Sequence, residues 1–226
     1  MKKILNSLLI ISLSITFFSC SKDDSYSLDK FWVSPATVFT ENVKPYLIVT
    51  DNGDRLFPSS SKIHYTPKNG QRVWVSYTIL EDARDDFDYY VQINDISEIL
   101  TKGIIELNSA NKDSIGNDPV KIEDIWFTDN YLTIQFVYAG GGAIHFINLV
   151  RNEDALATEE GMPILEFRHN RNYDLYNNSI RGWVSFDLKS IEEEDKDFVV
   201  FLLKAKTFDD DKIFEKEVTY RYRGKE

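Results

Sequence analysis

YLIVTDNGDRLF, residues 46–57, places apolar runs on both sides of Asn52-Gly53. An Asn-Gly pair between such runs marks a tight hairpin turn, because both central residues of the favoured turn need positive φ. Leu47, Ile48 and Val49 before it, and Leu56 and Phe57 after it, suit a pleated, half-buried surface. An isolated hairpin is only marginally stable, so the fold depends on whether the pattern continues. Runs of the same kind predict strands near 36–40, at 72–80, at 89–96 and near 103–107. NDISEILTKG, residues 94–103, is open to a second reading, since the spacing of Ile96, Ile99 and Leu100 also permits a short helix. Either way the segment reads as a small barrel-like unit.

NSANKDSIGNDPV, residues 108–120, has almost no apolar content and reads as a connector with a domain boundary. Beyond it, IEDIWFTDNYLTIQFVYAGGGAIHFINLV, residues 122–150, reads as three strands separated by turns at Asp129-Asn130 and at Gly140 to Gly142. Leu132, Ile134, Phe136 and Tyr138 share one face of a strand, and Ile144, Phe146 and Val150 share a face of the next. Further strands at 164–168, 182–188, 198–206 and 212–222 give about seven, the count of an antiparallel β-sandwich. The fold class is therefore all-β, a small barrel followed by a sandwich.

Ahead of both units, Lys2 and Lys3 precede an apolar run from Leu8 to Phe18. That run is shorter than the ~20 residues of a membrane span and fits a signal-peptide core. Ser19-Cys20 after it resembles a lipobox, with cleavage before Cys20 and acylation of its amine and thiol. Acyl chains supply roughly 0.8 kcal/mol per buried methylene, so two or three of them hold firmly. The alternative is an ordinary signal peptide cut nearby, which leaves the chain's only cysteine as an unexplained thiol. Lys22, Asp23 and Asp24 resemble the export signal of lipoproteins displayed on the outer membrane of certain Gram-negative gut anaerobes. The competing readings are a solvated tether and a periplasm-facing anchor.

Residues 1–19 contain two lysines and no acid, so their removal moves the formal charge from −11 to −13. An acidic surface repels phosphate backbones and argues against nucleic acid. No cysteine follows position 20, so stability rests on apolar cores without disulfides. No nucleophile elbow, phosphate loop or dinucleotide fingerprint occurs, and AGGGAIHF at 139–146 joins two strands and does not open a helix. The expectation is a protein that is not an enzyme, with no metal and no cofactor. His145 and His169 are placed to meet on neighbouring strands, with Glu166 and Arg168 nearby, as a hydrogen-bonded polar patch. The acid runs at 81–88 and 208–212 lack the spaced ligands and turning glycine of a calcium loop.

YSLDKFWVSPATV (26–38), KNGQRVWVSYTIL (68–80), YYVQINDISEILTKGIIEL (89–107), DSIGNDPVKIEDIWFTDNYLTIQF (113–136), HFINLV (145–150), LEFRHN (165–170) and GWVSFDL (182–188) together resemble the NigD-like lipoproteins. The resemblance implies a signal peptide at 1–19, an acylated tether at 20–30, an N-terminal OB-type domain at 31–112, a linker at 113–119 and a C-terminal β-sandwich domain at 120–226. It also implies an outer-membrane lipoprotein that binds a protein partner, with bacteriocin immunity as the role suggested for one member. The alternative is a glycan or small-ligand module, since OB barrels bind such molecules on one sheet face. Trp32, Trp74, Tyr89 and Tyr90 are the candidate stacking residues for it, although along 73–80 Trp74 lies opposite Val73, Val75, Tyr77 and Ile79. Asp113-Ser114-Ile115 resembles an O-glycosylation site for Ser114, against the simpler reading that the side chains shape the linker.

Overall fold

A computed structural model describes residues 26–222 except 42, 43, 83, 85 and 210, and every element is a strand apart from two short helical turns. The hairpin at 46–57 forms between β2 (Leu47–Thr50) and β3 (Arg55–Ser61), with Ile48 beside Leu56 and Val49 beside Arg55. Its loop runs over the four residues from Asp51 to Asp54, and only Gly53 in it has positive φ, at 97°. Gly53 donates to the Thr50 carbonyl at 2.9 Å, and the Asp54 amide donates to Thr50 Oγ1 at 3.0 Å. The threonine hydroxyl thus organises the turn, and the expected positive φ at Asn52 is not needed.

β1 (Trp32–Phe39), β4 (Arg72–Asp82) and β5 (Tyr89–Glu98) complete a closed barrel in the order β1-β2-β3-β5-β4. Ala36, Val38, Ile48, Leu56, Val73, Val75, Tyr77, Ile79, Val91 and Ile93 fill it. The period-2 alternation along β4 sends Val73, Val75, Tyr77 and Ile79 inward and Trp74 outward. NDISEILTKG is extended throughout, so the helical reading does not hold.

After one buried residue, Ile99, β6 (Leu100–Leu107) leaves the barrel. The sequence reading kept this strand inside the 31–112 unit. It is instead central to an eight-stranded sheet with β7 (Lys121–Thr128), β8 (Tyr131–Gly140), β9 (Phe146–Asn152), β10 (Ile164–Asn170), β11 (Asn178–Asp187), β12 (Phe198–Lys206) and β13 (Ile213–Arg221), in the order β13-β12-β10-β9-β6-β11-β8-β7. Leu100 to Gly103 pair with β11, and Ile104 to Leu107 pair with β9. At that handover the sheet folds over, and its two halves enclose one core that includes Leu132, Ile134, Phe136, Leu149, Phe167, Phe186, Phe201 and Tyr220. The result is the expected sandwich, although β6–β9, β6–β11 and β10–β12 are parallel.

Residues 108–120 consequently connect β6 to β7 within one unit and do not separate two. They hold α1 (Lys112–Ile115), whose Ile115 is buried against Leu107 and Val150. β9 also differs from expectation: Ile147 and Leu149 face the main core, Val150 lies beneath α1, and Ile144 and Phe146 are exposed. The core phase is shifted by one residue, which exchanges the two faces of a strand.

The barrel and the sandwich meet around Arg72, which is 1% exposed. Its guanidinium donates to both carboxylate oxygens of Asp51 at 2.5 and 2.6 Å, to Thr37 Oγ1 at 3.0 Å and to Thr133 Oγ1 at 3.2 Å. It also donates to Ser185 Oγ at 3.3 Å, while Trp126 Nε1 donates to Asp51 at 2.6 Å. A buried charge is tolerated only when paired and hydrogen-bonded. Here the partners come from the first hairpin, β1, β7, β8 and β11, so one ion pair joins both units.

Candidate interaction site

At the end of the sandwich formed by the β8–β9 and β10–β11 connections, Asp174 is nearly solvent-free. Its Oδ2 accepts from the amides of Gly141 at 2.7 Å and Ala143 at 3.3 Å, and its Oδ1 accepts from the amide of Tyr176 at 2.9 Å. These bonds hold its carboxyl well below the usual range, the Tyr176 amide contributing most. His145 Nε2 lies 3.2 Å from the same Oδ2, and His145 Nδ1 lies 2.7 Å from His169 Nε2. The two rings stack at 5.0 Å against the ring of Tyr138.

The hydrogen positions follow from the acceptors. Ionised Asp174 only accepts, so His145 Nε2 carries a hydrogen. One hydrogen is shared between His145 Nδ1 and His169 Nε2, and the backbone of Pro119 lies against the His169 ring. Burial, followed by the nearby His145, pushes the His169 pKa down to about 4 and keeps that ring uncharged. The pair met as the sequence suggested. Glu166 and Arg168 do not join it: they pair with each other on β10, where the period-2 alternation places them opposite Phe167 and His169.

Above this buried chain the backbone is strained. Asn172 and Tyr173 have φ of 49° and 63°, and a bulky residue in that left-handed region is a genuine outlier. Arg171 secures the loop by donating to the carbonyls of Asp174 and Tyr176. Tyr173 is 94% exposed and Leu175 86% exposed, and Tyr176, Ile144 and Phe146 are exposed as well. Gly141 lets Tyr176 pack onto the neighbouring loop, since a Cβ there would lie 2.3 Å from Tyr176 Cβ. Four apolar and aromatic side chains thus project from two loops fixed by one carboxylate, and Phe146 from the first residue of β9 beside them. Such a patch on a rigid base suits protein recognition, with tyrosines as anchors of low conformational cost.

The residues singled out from sequence lie elsewhere. Cys20, Lys22, Asp23 and Asp24 fall outside the described residues. Trp32 stacks on Tyr77 at 6.2 Å, and Trp74 packs edge-on against Trp183 at 5.5 Å at the barrel–sandwich junction. Tyr89 meets Tyr26, and Tyr90 meets Phe57. Trp32 and Tyr89 both pack against the barrel core, whereas Trp74 turns toward the sandwich. Ser114 is exposed on α1, its hydroxyl donating to the Asn111 carbonyl at 2.8 Å. Asp174, Tyr173, Leu175 and Tyr176 were not singled out, yet HNRNYDLYNN at 169–178 carries a signal: three apolar side chains in an Asn-rich turn.

Residues 36–99 match the family described as NigD-like N-terminal OB domain, and residues 103–222 match the NigD-like C-terminal beta sandwich domain. No curated protein matches the chain. Among solved structures, a candidate toxin-related protein from Parabacteroides distasonis is 33% identical, with a TM-score of 0.71 over 86% of this chain and 95% of that one. A protein of unknown function from Bacteroides vulgatus is 30% identical, with a TM-score of 0.69 over 85% and 91%. A NigD-like immunity protein from Bacteroides caccae, 18% identical, shares the fold with a TM-score of 0.62 over 87% and 98%. A barrel matched by the one domain and a sandwich matched by the other, in that order along one chain, make this protein a member of the NigD-like family.

Proposed function

We propose that this chain is a non-catalytic lipoprotein of the outer membrane, held by acylated Cys20 and displayed at the cell surface. It binds a protein partner through the rim formed by Ile144, Phe146, Tyr173, Leu175 and Tyr176. The observation that carries this is the strained, exposed Tyr173 above a buried carboxylate. Strain of this kind persists only where the surroundings over-determine it, and it concentrates at functional sites. The His169–His145–Asp174 chain supports a scaffolding role, because Asp174 is spent on backbone amides and on His145. A NigD-like immunity protein among the structural relatives makes a bacteriocin the favoured class of partner. The glycan reading has less support, since Trp74, one of its four candidate rings, is packed against Trp183 at the barrel–sandwich junction.

The test is deletion of the gene followed by challenge with bacteriocins from neighbouring strains. Deletion is expected to raise sensitivity, and the wild-type gene to restore protection. A gene carrying Tyr173→Ser, Leu175→Ser and Tyr176→Ser is expected to fail while the protein still accumulates in the envelope. Unchanged sensitivity on deletion would sink the immunity role, and protection by the triple variant would remove the rim from it.

A further inference from the structure

Ahead of the barrel, a second apolar surface lies close to the expected anchor. Leu28, Phe31 and Val33 are 70%, 67% and 55% exposed. Val33 is the second residue of β1 and Phe31 lies just before the strand; both are exposed while Trp32 between them is partly buried. Leu28 lies just before them in the chain, in a turn closed by the Lys30 amide on the Ser27 carbonyl at 3.0 Å. Tyr26 is fastened just before that turn: its ring meets Tyr89 at 6.4 Å and its hydroxyl donates to the Asp82 carboxylate. That bond, more than burial, raises the Tyr26 pKa to about 12, so the phenol stays a donor.

The chain length from Cys20 to Tyr26 limits what this patch can meet. Six Cα–Cα steps of at most ~3.6 Å reach about 22 Å. Whatever holds Cys20 at a bilayer therefore holds Leu28, Phe31 and Val33 within a short reach of it. Asp29 and Lys30 beside the patch cancel in charge, whereas the chain as a whole is strongly acidic. Asp95, across β4 from Val33 by way of Ser76, marks its border. Three apolar side chains bind lipid weakly alone, but tethering raises the effective concentration to the millimolar range, where weak contacts are occupied.

We propose that Leu28, Phe31 and Val33 rest on the lipid surface to which the protein is anchored, so that the barrel docks on the membrane and does not hang from it. This rests on the reading of Cys20 as the acylated residue. The sandwich rim lies away from that contact, because β8 runs seven residues, about 23 Å, from Thr133 at the barrel junction to Gly140.

The single cysteine supplies the test. The chain from Cys20 onward, with every described element, is coupled through its thiol to a maleimide phospholipid in phosphatidylethanolamine–phosphatidylcholine vesicles. A benzophenone amino acid replaces Phe31 in one preparation and Tyr173 in another, with circular dichroism to confirm folding. Irradiation is expected to give lipid adducts at position 31 in excess of those at 173 by on the order of tenfold. Hydrogen exchange across 27–33 is expected to slow on the tethered vesicles relative to the untethered chain. Equal or absent lipid adducts at 31, or chain-to-chain adducts there, would overturn the proposal. The anchor reading is tested separately by mass spectrometry of the N-terminal peptide from native envelopes. An unacylated Cys20 would refute that reading while the vesicle result still reports on the patch.

Discussion

Asp174 and His169 connect acidity to the shape of the rim. Both have pKa values lower in the fold than in an unfolded chain, so the unfolded chain binds more protons as pH falls. The stability tied to neutral His169 is complete above its ordinary value of 6.5 and declines as pH falls toward about 4, and the carboxylate adds to the loss at lower pH. At about 1.4 kcal/mol per unit, the His169 share is on the order of 3 kcal/mol. Melting temperature is expected to fall between pH 7 and pH 4, and a His169→Asn variant is expected to lose most of that slope. At this scale the sequence is partly legible. Two histidines on neighbouring strands suggested their own contact, but Asp174 lies in a loop and reaches His145 across 29 positions that no periodicity links. Arg72 was equally hidden, because its partners are scattered from Thr37 to Ser185.

Among the elements, those with clear alternation were readable. Along β4 and β8 the apolar period states which residues go inward, and the Asn-Gly turn states where one hairpin closes. Membership of a sheet is harder to read. β6 has the same period whether it closes a barrel or centres a sandwich, and only its pairing with β9 and β11 decides. The 108–120 segment misled for a related reason: its polar composition hides two apolar residues that dock, Ile115 against Leu107 and Val150 and Val120 in the sandwich core. Ile115→Ala is expected to cost about 2–4 kcal/mol through lost burial and a residual cavity beneath α1. Denaturant unfolding checks this, and a cost near zero would return the segment to the status of a passive connector.

Across the whole molecule, the Arg72–Asp51 pair makes the barrel and sandwich interdependent. Removing one member of a buried pair strands the other charge, at about 3–5 kcal/mol. The wild-type protein is expected to unfold in one calorimetric transition, and Arg72→Met to separate barrel from sandwich melting. Adding Asp51→Asn to Arg72→Met is expected to recover part of the loss, since it removes the stranded charge. The passage through Ile99 has a consequence for how such chains diversify. One buried residue stands between the last barrel strand and the first sandwich strand, and its amide donates to the Arg72 carbonyl at 2.9 Å. Gene recombination exchanges modules at exposed joints, and this joint is inside the protein. A barrel moved to a new sandwich would have to bring matching residues at positions 133, 183 and 185 with it, so the two halves are expected to be inherited together and to vary mainly at their exposed loops.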